Sequence, residues 1–307
     1  EEMGHVNNLK VYTKVPIQQC WDRTGKAPIK VRWLDINKGD EVNTEYRSRL
    51  VGQEFKRDKR LDLFAATPPL EAKKALMSMA VTEGIGYHRG DWKSGMCIDY
   101  IDVSRAFFHA EALREVYVQL PDEDASEGMC GLLGKSLYGT RDAAQNWAAS
   151  YVGFMEECGF ARGISSPCCF YNKEQKIRCV VHGDDFTVLG RRNNLDWFRE
   201  KIKSKYPVKF RGRMGPGDAD DKSIRLLNRI ITWDEEGIHW EGDQRHGEIL
   251  VRELGLLEDS RGATTPAEKK TGQDIGSIKA DGQDALREGE LGQHPLDPSS
   301  TSKYRGM

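Results

Sequence analysis

The spacing of apolar residues changes period several times along the chain, and each change marks an element. The clearest stretch is Cys179-Val180-Val181-His182-Gly183-Asp184-Asp185-Phe186-Thr187-Val188-Leu189, in which two apolar, β-branched runs flank a four-residue polar centre. This pattern predicts a hairpin of two buried strands with paired aspartates at its tip. A glycine at the first central position of a two-residue turn signals type II′, so Gly183-Asp184 can turn without steric strain and hold the tip rigid. A second apolar run, residues 97–103, carries Asp102 near its end, just before the aromatic cluster Phe107-Phe108-His109.

Helical periodicity follows elsewhere. Residues 70–81 carry the stripe Leu70, Ala75, Leu76, Met79 and Ala80 after the stop at Pro68-Pro69. Residues 143–157 place Trp147, Tyr151, Phe154 and Met155 on one side, a stripe that packs as core. Asn193-Asn194 can cap a helix over 195–205 with Leu195, Phe198 and Ile202 inward, and a last helix over 248–254 stops at Gly255. The runs 29–33 and 49–51 bracket the polar turn Asn37-Lys38-Gly39-Asp40, which suggests another hairpin. Strands are predicted over 208–211, 224–233 and 238–240, with 212–221 a flexible loop. Residues 1–29 have no strong period, and beyond Pro266 a chain rich in Gln, Lys, Asp, Gly and Ser reads as disordered.

Composition narrows the class. A chain of 307 residues, 38% hydrophobic and 31% charged, can bury a core and divide into two or three subdomains. No run approaches the roughly 20 apolar residues of a membrane span, and the acidic Glu1-Glu2 start lacks a signal peptide's basic region. Seven cysteines without paired spacing suggest neither a disulfide framework nor a zinc ribbon, so a reducing, intracellular setting is expected. The net charge of -2 gives no general basic coat, but residues 186–230 hold twelve Lys or Arg against five Asp or Glu, a local excess that suits phosphate-backbone contact.

Adjacent carboxylates on a rigid tip repel each other and raise each other's pKa unless cations lie beside them. Magnesium fits such a site because it takes hard oxygen ligands and leaves room for substrate phosphates. A bare Asp-Asp pair is usually solvated turn chemistry, and Asp220-Asp221 in its Gly-rich polar segment reads that way; the apolar frame on both sides sets Asp184-Asp185 apart. Asp102, at the end of another apolar run, offers the third carboxylate.

Here the residues meet a family. Ile101-Asp102-Val103-Ser104-Arg105-Ala106-Phe107-Phe108-His109 followed by Glu115-Val116-Tyr117-Val118-Gln119-Leu120-Pro121 resembles the first catalytic motif of Ty1/copia-type retrotransposon reverse transcriptases, a part of their Pol polyprotein. Lys135-Ser136-Leu137-Tyr138-Gly139, with Trp147 beyond, resembles the second motif, and Val181-His182-Gly183-Asp184-Asp185 the third. Trp33 with Tyr46-Arg47-Ser48-Arg49-Leu50-Val51, and then Phe64-Ala65-Ala66-Thr67-Pro68-Pro69, are similar to the fingers segments. Roughly residues 30–266 are covered.

The resemblance implies an α+β right-hand polymerase fold with an antiparallel palm sheet, fingers and a partial thumb. Its parts would be an N-terminal extension at 1–29, fingers at 30–95, palm at 96–243, a partial thumb or connection at 244–266 and a disordered tail at 267–307. It implies RNA-directed DNA polymerase activity, with Asp102, Asp184 and Asp185 catalytic and holding two Mg²⁺ ions, and His182 and Gly183 forming the turn of the hairpin. Arg47 and Arg49 would hold the incoming triphosphate, for which planar guanidinium forks are suited. Phe107 would exclude a ribose 2′ hydroxyl, and Tyr138-Gly139 would lie beneath the template base and incoming nucleotide. Implied partners are an RNA or DNA template with primer, deoxynucleoside triphosphates and other parts of a Pol polyprotein; the implied location is a cytoplasmic particle or the nucleus, with no membrane.

Two positions depart from the family pattern: His182 stands for the usual tyrosine, and Ala143-Ala144-Gln145 for alanine-proline-arginine. Two other functions compete, a two-metal nuclease and a catalytically degenerate remnant that only binds nucleic acid.

Overall fold

The computed structural model describes residues 1–37, 43–55, 63–226, 229–242 and 244–255. The chain opens with α1 (Glu2–Asn8), β1 (Tyr12–Pro16) and α2 (Ile17–Thr24), followed by β2 (Val31–Asn37), β3 (Tyr46–Gly52) and α3 (Leu70–Ala80). Next come β4 (Cys97–Val103), β5 (Tyr117–Val118), β6 (Met129–Leu133), α4 (Ala143–Glu157), β7 (Phe160–Arg162) and β8 (Cys169–Asn172). The aspartate hairpin is β9 (Ile177–His182) and β10 (Asp185–Gly190), and α5 (Arg192–Lys205) and β11 (Val208–Met214) follow it. Three further strands, β12 (Ser223–Leu226), β13 (Arg229–Trp233) and β14 (Ile238–Gly242), lead to α6 (Gln244–Glu253).

Six antiparallel strands in the order β11-β4-β10-β9-β8-β7 form the main sheet. With its flanking helices this sheet makes the chain α+β, as expected. Its two central strands read as near-continuous apolar runs because both faces are covered. One face packs Ile101, Val103, Phe186 and Val188 against Trp147, Tyr151 and Phe154 of α4 and Phe198 of α5. The other sets Ile98, Tyr100 and Leu189 against Leu76, Met77 and Ala80 of α3, with Trp233 beside them.

Residues 1–29, which have no readable period, nevertheless contribute β1 to a second sheet of order β1-β6-β5. The β2-β3 hairpin forms with Leu34 opposite Arg49 and Ile36 opposite Arg47. Its turn residues 38–42 lie outside the described residues, as do 256–307 and so the expected disordered tail. Of the expected thumb segment only α6 and the residues up to 255 are described, α6 starting four residues before its sequence reading.

Several local expectations need correction. The buried face of α3 is Leu76, Met77, Ala80 and Lys73, whereas Ala75 is exposed. Helix α5 starts at Arg192, and its N-terminus has no side-chain cap; Asn194 Nδ2 donates instead to the Gln175 carbonyl. The 224–233 strand is two paired strands, β12 and β13.

The expectation of a solvated pair Asp220-Asp221 in a flexible loop 212–221 holds for the exposed Asp221 and not for Asp220. β11 runs on to Met214, and Asp220 is buried, accepting from Arg192 at 2.7 Å and from the Gly217 amide at 2.8 Å. Asp221 accepts from the Arg213 amide at 2.8 Å, and the Lys222 ammonium donates to the Gly215 carbonyl at 2.7 Å and to that of Gly217 at 2.8 Å. A polar, Gly-rich composition predicts mobility only when the polar groups are left to water; here they satisfy one another.

A buried carboxylate ties this region to the sheet. Asp99 on β4 is 1% exposed and takes both forks of two arginines: Arg199 of α5 at 2.6 and 2.9 Å, and Arg213 of β11 at 2.6 and 2.8 Å. Two guanidinium groups on one carboxylate leave a net positive charge, which Asp196 offsets through Arg213 at 2.7 Å. Part of the basic excess over 186–230 is therefore taken up in pairing within the chain, whereas Lys201, Lys203, Lys205 and Lys209 are exposed.

Breaking a buried ion pair on one side strands the other charge, at a cost of about 3–5 kcal/mol. Asp99→Asn is expected to lower unfolding free energy by about that amount, measured by urea denaturation; a change within experimental error would show that the double clamp adds no stability.

Candidate functional site

The tip of the β9-β10 hairpin forms as the sequence predicts. Gly183 has φ +63° and Asp184 is absent from the positive-φ residues, as a type II′ turn requires. Register then decides which carboxylates meet. Asp185 pairs directly with Asp102 across β10 and β4, and with His182 across β10 and β9. In a strand alternate residues share a face, so Asp102 and Asp185 both lie on the α3 side of the sheet. Asp184 is in the adjoining turn, and its carbonyl accepts from the Val103 amide at 2.9 Å.

The tip is also held from the opposite face. Trp147 of α4, a fully buried side chain, donates its indole N–H to the Gly183 carbonyl at 2.8 Å. Trp147 read as plain core from its helical stripe; its place in that stripe gives no signal of the bond.

Burial pushes the Asp185 carboxyl above the usual carboxylate range, and the charges of Asp184 and Asp102 push the same way while Arg211 and Lys73 oppose them. Two cations therefore belong to the site although the sequence motifs include neither. Arg211 of β11 forms ion pairs with Asp102 Oδ2 and, at 3.3 Å, with Asp185 Oδ1. Lys73 of α3 is 1% exposed, and its ammonium has no hydrogen-bond partner among the described residues. Burial holds its pKa down, Asp185 pulls it up and Arg211 depresses it further. Lys73 shares the buried face of α3 with Leu76, Met77 and Ala80, a placement that the apolar stripe read from the sequence omits. His182, the departure from the family's tyrosine, is half-buried and is held below its usual pKa, first by burial and then by the Lys73 charge.

Among the described residues no three Asp, Glu, His or Cys side chains converge as a ready cation cage. The donor set itself suits a hard divalent cation, three carboxylates of which two are directly opposed, but as it stands Asp102 and Asp185 close on the Arg211 guanidinium.

The residues expected to contact nucleotide gather beside Tyr138. The Arg49 guanidinium lies 5.1 Å over the Tyr138 ring, and the half-buried Phe107 ring is 4.8 Å from it. Neighbouring Phe108, by contrast, is fully buried. Arg47 on the same face of β3 is exposed. Burial raises the Tyr138 phenol; the charges of Arg49 and Arg47 lower it and that of Asp184 raises it.

Gly139 has a structural reason to be glycine. Its φ is +79°, and a Cβ there would stand 2.0 Å from the Gly52 carbonyl oxygen. The close approach lets the Gly52 amide donate to the Tyr138 carbonyl at 2.7 Å, which brings β3 and Arg49 against Tyr138.

The aspartates are thus opposed on central antiparallel strands, and an aromatic and basic cluster gathers around Tyr138. Residues 20–215 match the reverse transcriptase (RNA-dependent DNA polymerase) family, and the chain belongs to it. Among curated relatives, the retrovirus-related Pol polyprotein from transposon TNT 1-94 of Nicotiana tabacum is 25% identical over 206 residues, 64% of this chain and 14% of that protein. The transposon Ty1-DR4 Gag-Pol polyprotein of Saccharomyces cerevisiae is 26% identical over 127 residues, 41% of this chain and 8% of that protein. The chain thus spans a small part of the relatives it matches, and these are transposon Pol polyproteins, the class the sequence motifs resemble. Of solved structures, the foamy viral protease-reverse transcriptase in complex with double-stranded DNA covers 83% of this chain and 36% of its own at 12% identity, with a TM-score of 0.43. No helix among the described residues is long and apolar enough to cross a membrane.

Removing the Trp147 donor deprives the Gly183 carbonyl of its side-chain partner, a net loss of about 0.5–1.5 kcal/mol for a typical hydrogen bond. In Trp147→Phe, the Val103 amide, which donates to Asp184, is expected to exchange hydrogen faster than in the parent protein. Unchanged exchange would mean that the strands alone hold the tip.

Proposed function

We propose that this chain is the polymerase region of a copia-type retrotransposon Pol polyprotein and extends a primer on an RNA or DNA template with deoxynucleotides. The observation that carries the reading is the register of Asp185 against Asp102 with Asp184 in the adjoining turn, beside the Arg49, Tyr138 and Phe107 cluster. Phosphoryl transfer asks mainly for positioning and charge neutralisation, so a rigid set of few side chains is enough.

In this reading the aspartates would hold two Mg²⁺ ions, which when bound lower the pKa of the attacking 3′ hydroxyl and neutralise the triphosphate. The remaining work belongs to side chains. Arg47 and Arg49 on one face of β3 grip the triphosphate through charge-assisted bonds. Tyr138, fixed by its backbone bond to Gly52, supports the nucleotide from below, and Phe107 closes the space at the sugar's 2′ position. Trp147 keeps the hairpin tip from moving as substrate binds. The exposed lysines at 201, 203, 205 and 209 offer contacts to the nucleic-acid backbone.

Primer extension on a homopolymer template with Mg²⁺ tests this: growth of the primer supports polymerisation, its loss indicates a nuclease, and binding without either indicates a remnant. Asp184→Asn should abolish extension while template affinity stays nearly intact, because it removes a metal ligand and no phosphate contact. Equal loss of binding and extension would remove Asp184 from the catalytic set.

Phe107 tests the nucleotide pocket. Phe107→Ala should raise ribonucleotide incorporation relative to deoxynucleotide, with part of the normal activity retained. A ring serving only as packing would instead give a variant destabilised by about 3–5 kcal/mol, with sugar preference unchanged; melting temperature measured beside incorporation separates the two.

A further inference from the structure

Arg211 lies outside the three catalytic motifs, yet its guanidinium bridges the two opposed carboxylates of the site. How it reaches them is visible in the pairing of β11 with β4. Lys209 faces Asp102 and Phe210 faces Ile101, but Gly212 faces Tyr100, so Arg211 is the extra residue of a β-bulge. Bulges re-aim a side chain that regular alternation would send elsewhere, and they are built features of a sheet. This one turns a guanidinium toward the aspartates of the neighbouring strands.

A second cation, Lys73 of the covering helix α3, acts on Asp185 through its charge. It is buried and unpartnered among the described residues. An unpaired buried ammonium is costly, and the Asp185 charge offsets part of that cost. Arg211 is thus the cation in direct contact with the opposed carboxylates, before any substrate or ion is considered.

We propose that Arg211 is an internal counter-cation that holds Asp102 and Asp185 in register and competes with divalent metal for them, so that metal loading requires its displacement. The proposal builds on the assignment of the three aspartates as metal ligands. Arg211 is a positioning residue in this scheme: it draws the two carboxylates together and sets how much cation is needed to occupy the site. Because the Arg211 side chain is 40% exposed, its guanidinium has room to swing toward solvent as an ion enters.

The test is a titration of the whole chain with Mn²⁺, read by calorimetry or by the electron paramagnetic resonance of free Mn²⁺, alongside thermal melting. Arg211→Gln is expected to bind Mn²⁺ about tenfold more tightly, equivalent to ~1.4 kcal/mol. Its melting temperature should fall without metal and recover on saturation. Arg211→Lys, which retains a charge, should bind Mn²⁺ closer to the parent affinity. Unchanged or weaker Mn²⁺ binding in Arg211→Gln, with parent binding that is saturable and lost in Asp184→Asn, would overturn the competition and leave the metal assignment standing. Absence of saturable binding in every variant and in the parent would overturn the metal assignment and the competition together.

Discussion

Two carboxylates set opposite each other across an antiparallel strand pair repel, and their low-solvent setting makes the repulsion stronger. The register of Asp102 with Asp185 imposes this constraint on the centre of the sheet, and many other features of the site answer it. β4 and β10 are buried on both faces, so neither strand can slip to separate the charges without exposing its apolar residues. Asp184 adds a third charge in a turn that is pinned by the Val103 amide on one side and the Trp147 indole on the other. The repulsion is answered by cations delivered from outside the motifs, Arg211 from an edge strand and Lys73 from the covering helix.

The same economy of charge organises the ground around the site. Asp99 lies on β4, three residues before Asp102, and alternation sends it to the opposite face, where Arg199 and Arg213 clamp it. That clamp joins α5 and β11 to the central strand and thereby fixes the strand from which Arg211 reaches across. Asp220 draws Arg192 in a parallel way. A segment whose basic residues read as one nucleic-acid face thus commits Arg192, Arg199, Arg211 and Arg213 to ion pairs, while Lys201, Lys203, Lys205 and Lys209 near the end of α5 and in β11 are exposed.

The cluster around Tyr138 depends on a backbone contact more than on any side chain. Gly139 lets β3 approach within hydrogen-bonding distance of Tyr138, and through that contact the β2-β3 hairpin brings Arg49 over the ring. Phe107 follows from the left-handed turn at Arg105 (φ +54°), which starts a short 3₁₀ segment and sends Phe107 and Phe108 in different directions, one half-buried and one into the core.

By itself the sequence determined the hairpin, its II′ turn, the strand bearing Asp102 and the helices over α3 and α4, because each has a strong local period or an obligatory turn residue. It also determined the family, through three motifs whose order and spacing carry the aspartates and Tyr138-Gly139. Tertiary structure alone decided which charges meet. A one-residue bulge in β11, a register between strands far apart in sequence and the burial of Lys73 are properties of pairing and packing that no local window contains. Asp220-Asp221 shows the limit most clearly, since polar, Gly-rich composition cannot tell a solvated turn from one whose carboxylate closes on a distant arginine. Local propensity reports what a segment can do alone, whereas a charge's partner depends on where the rest of the chain brings it.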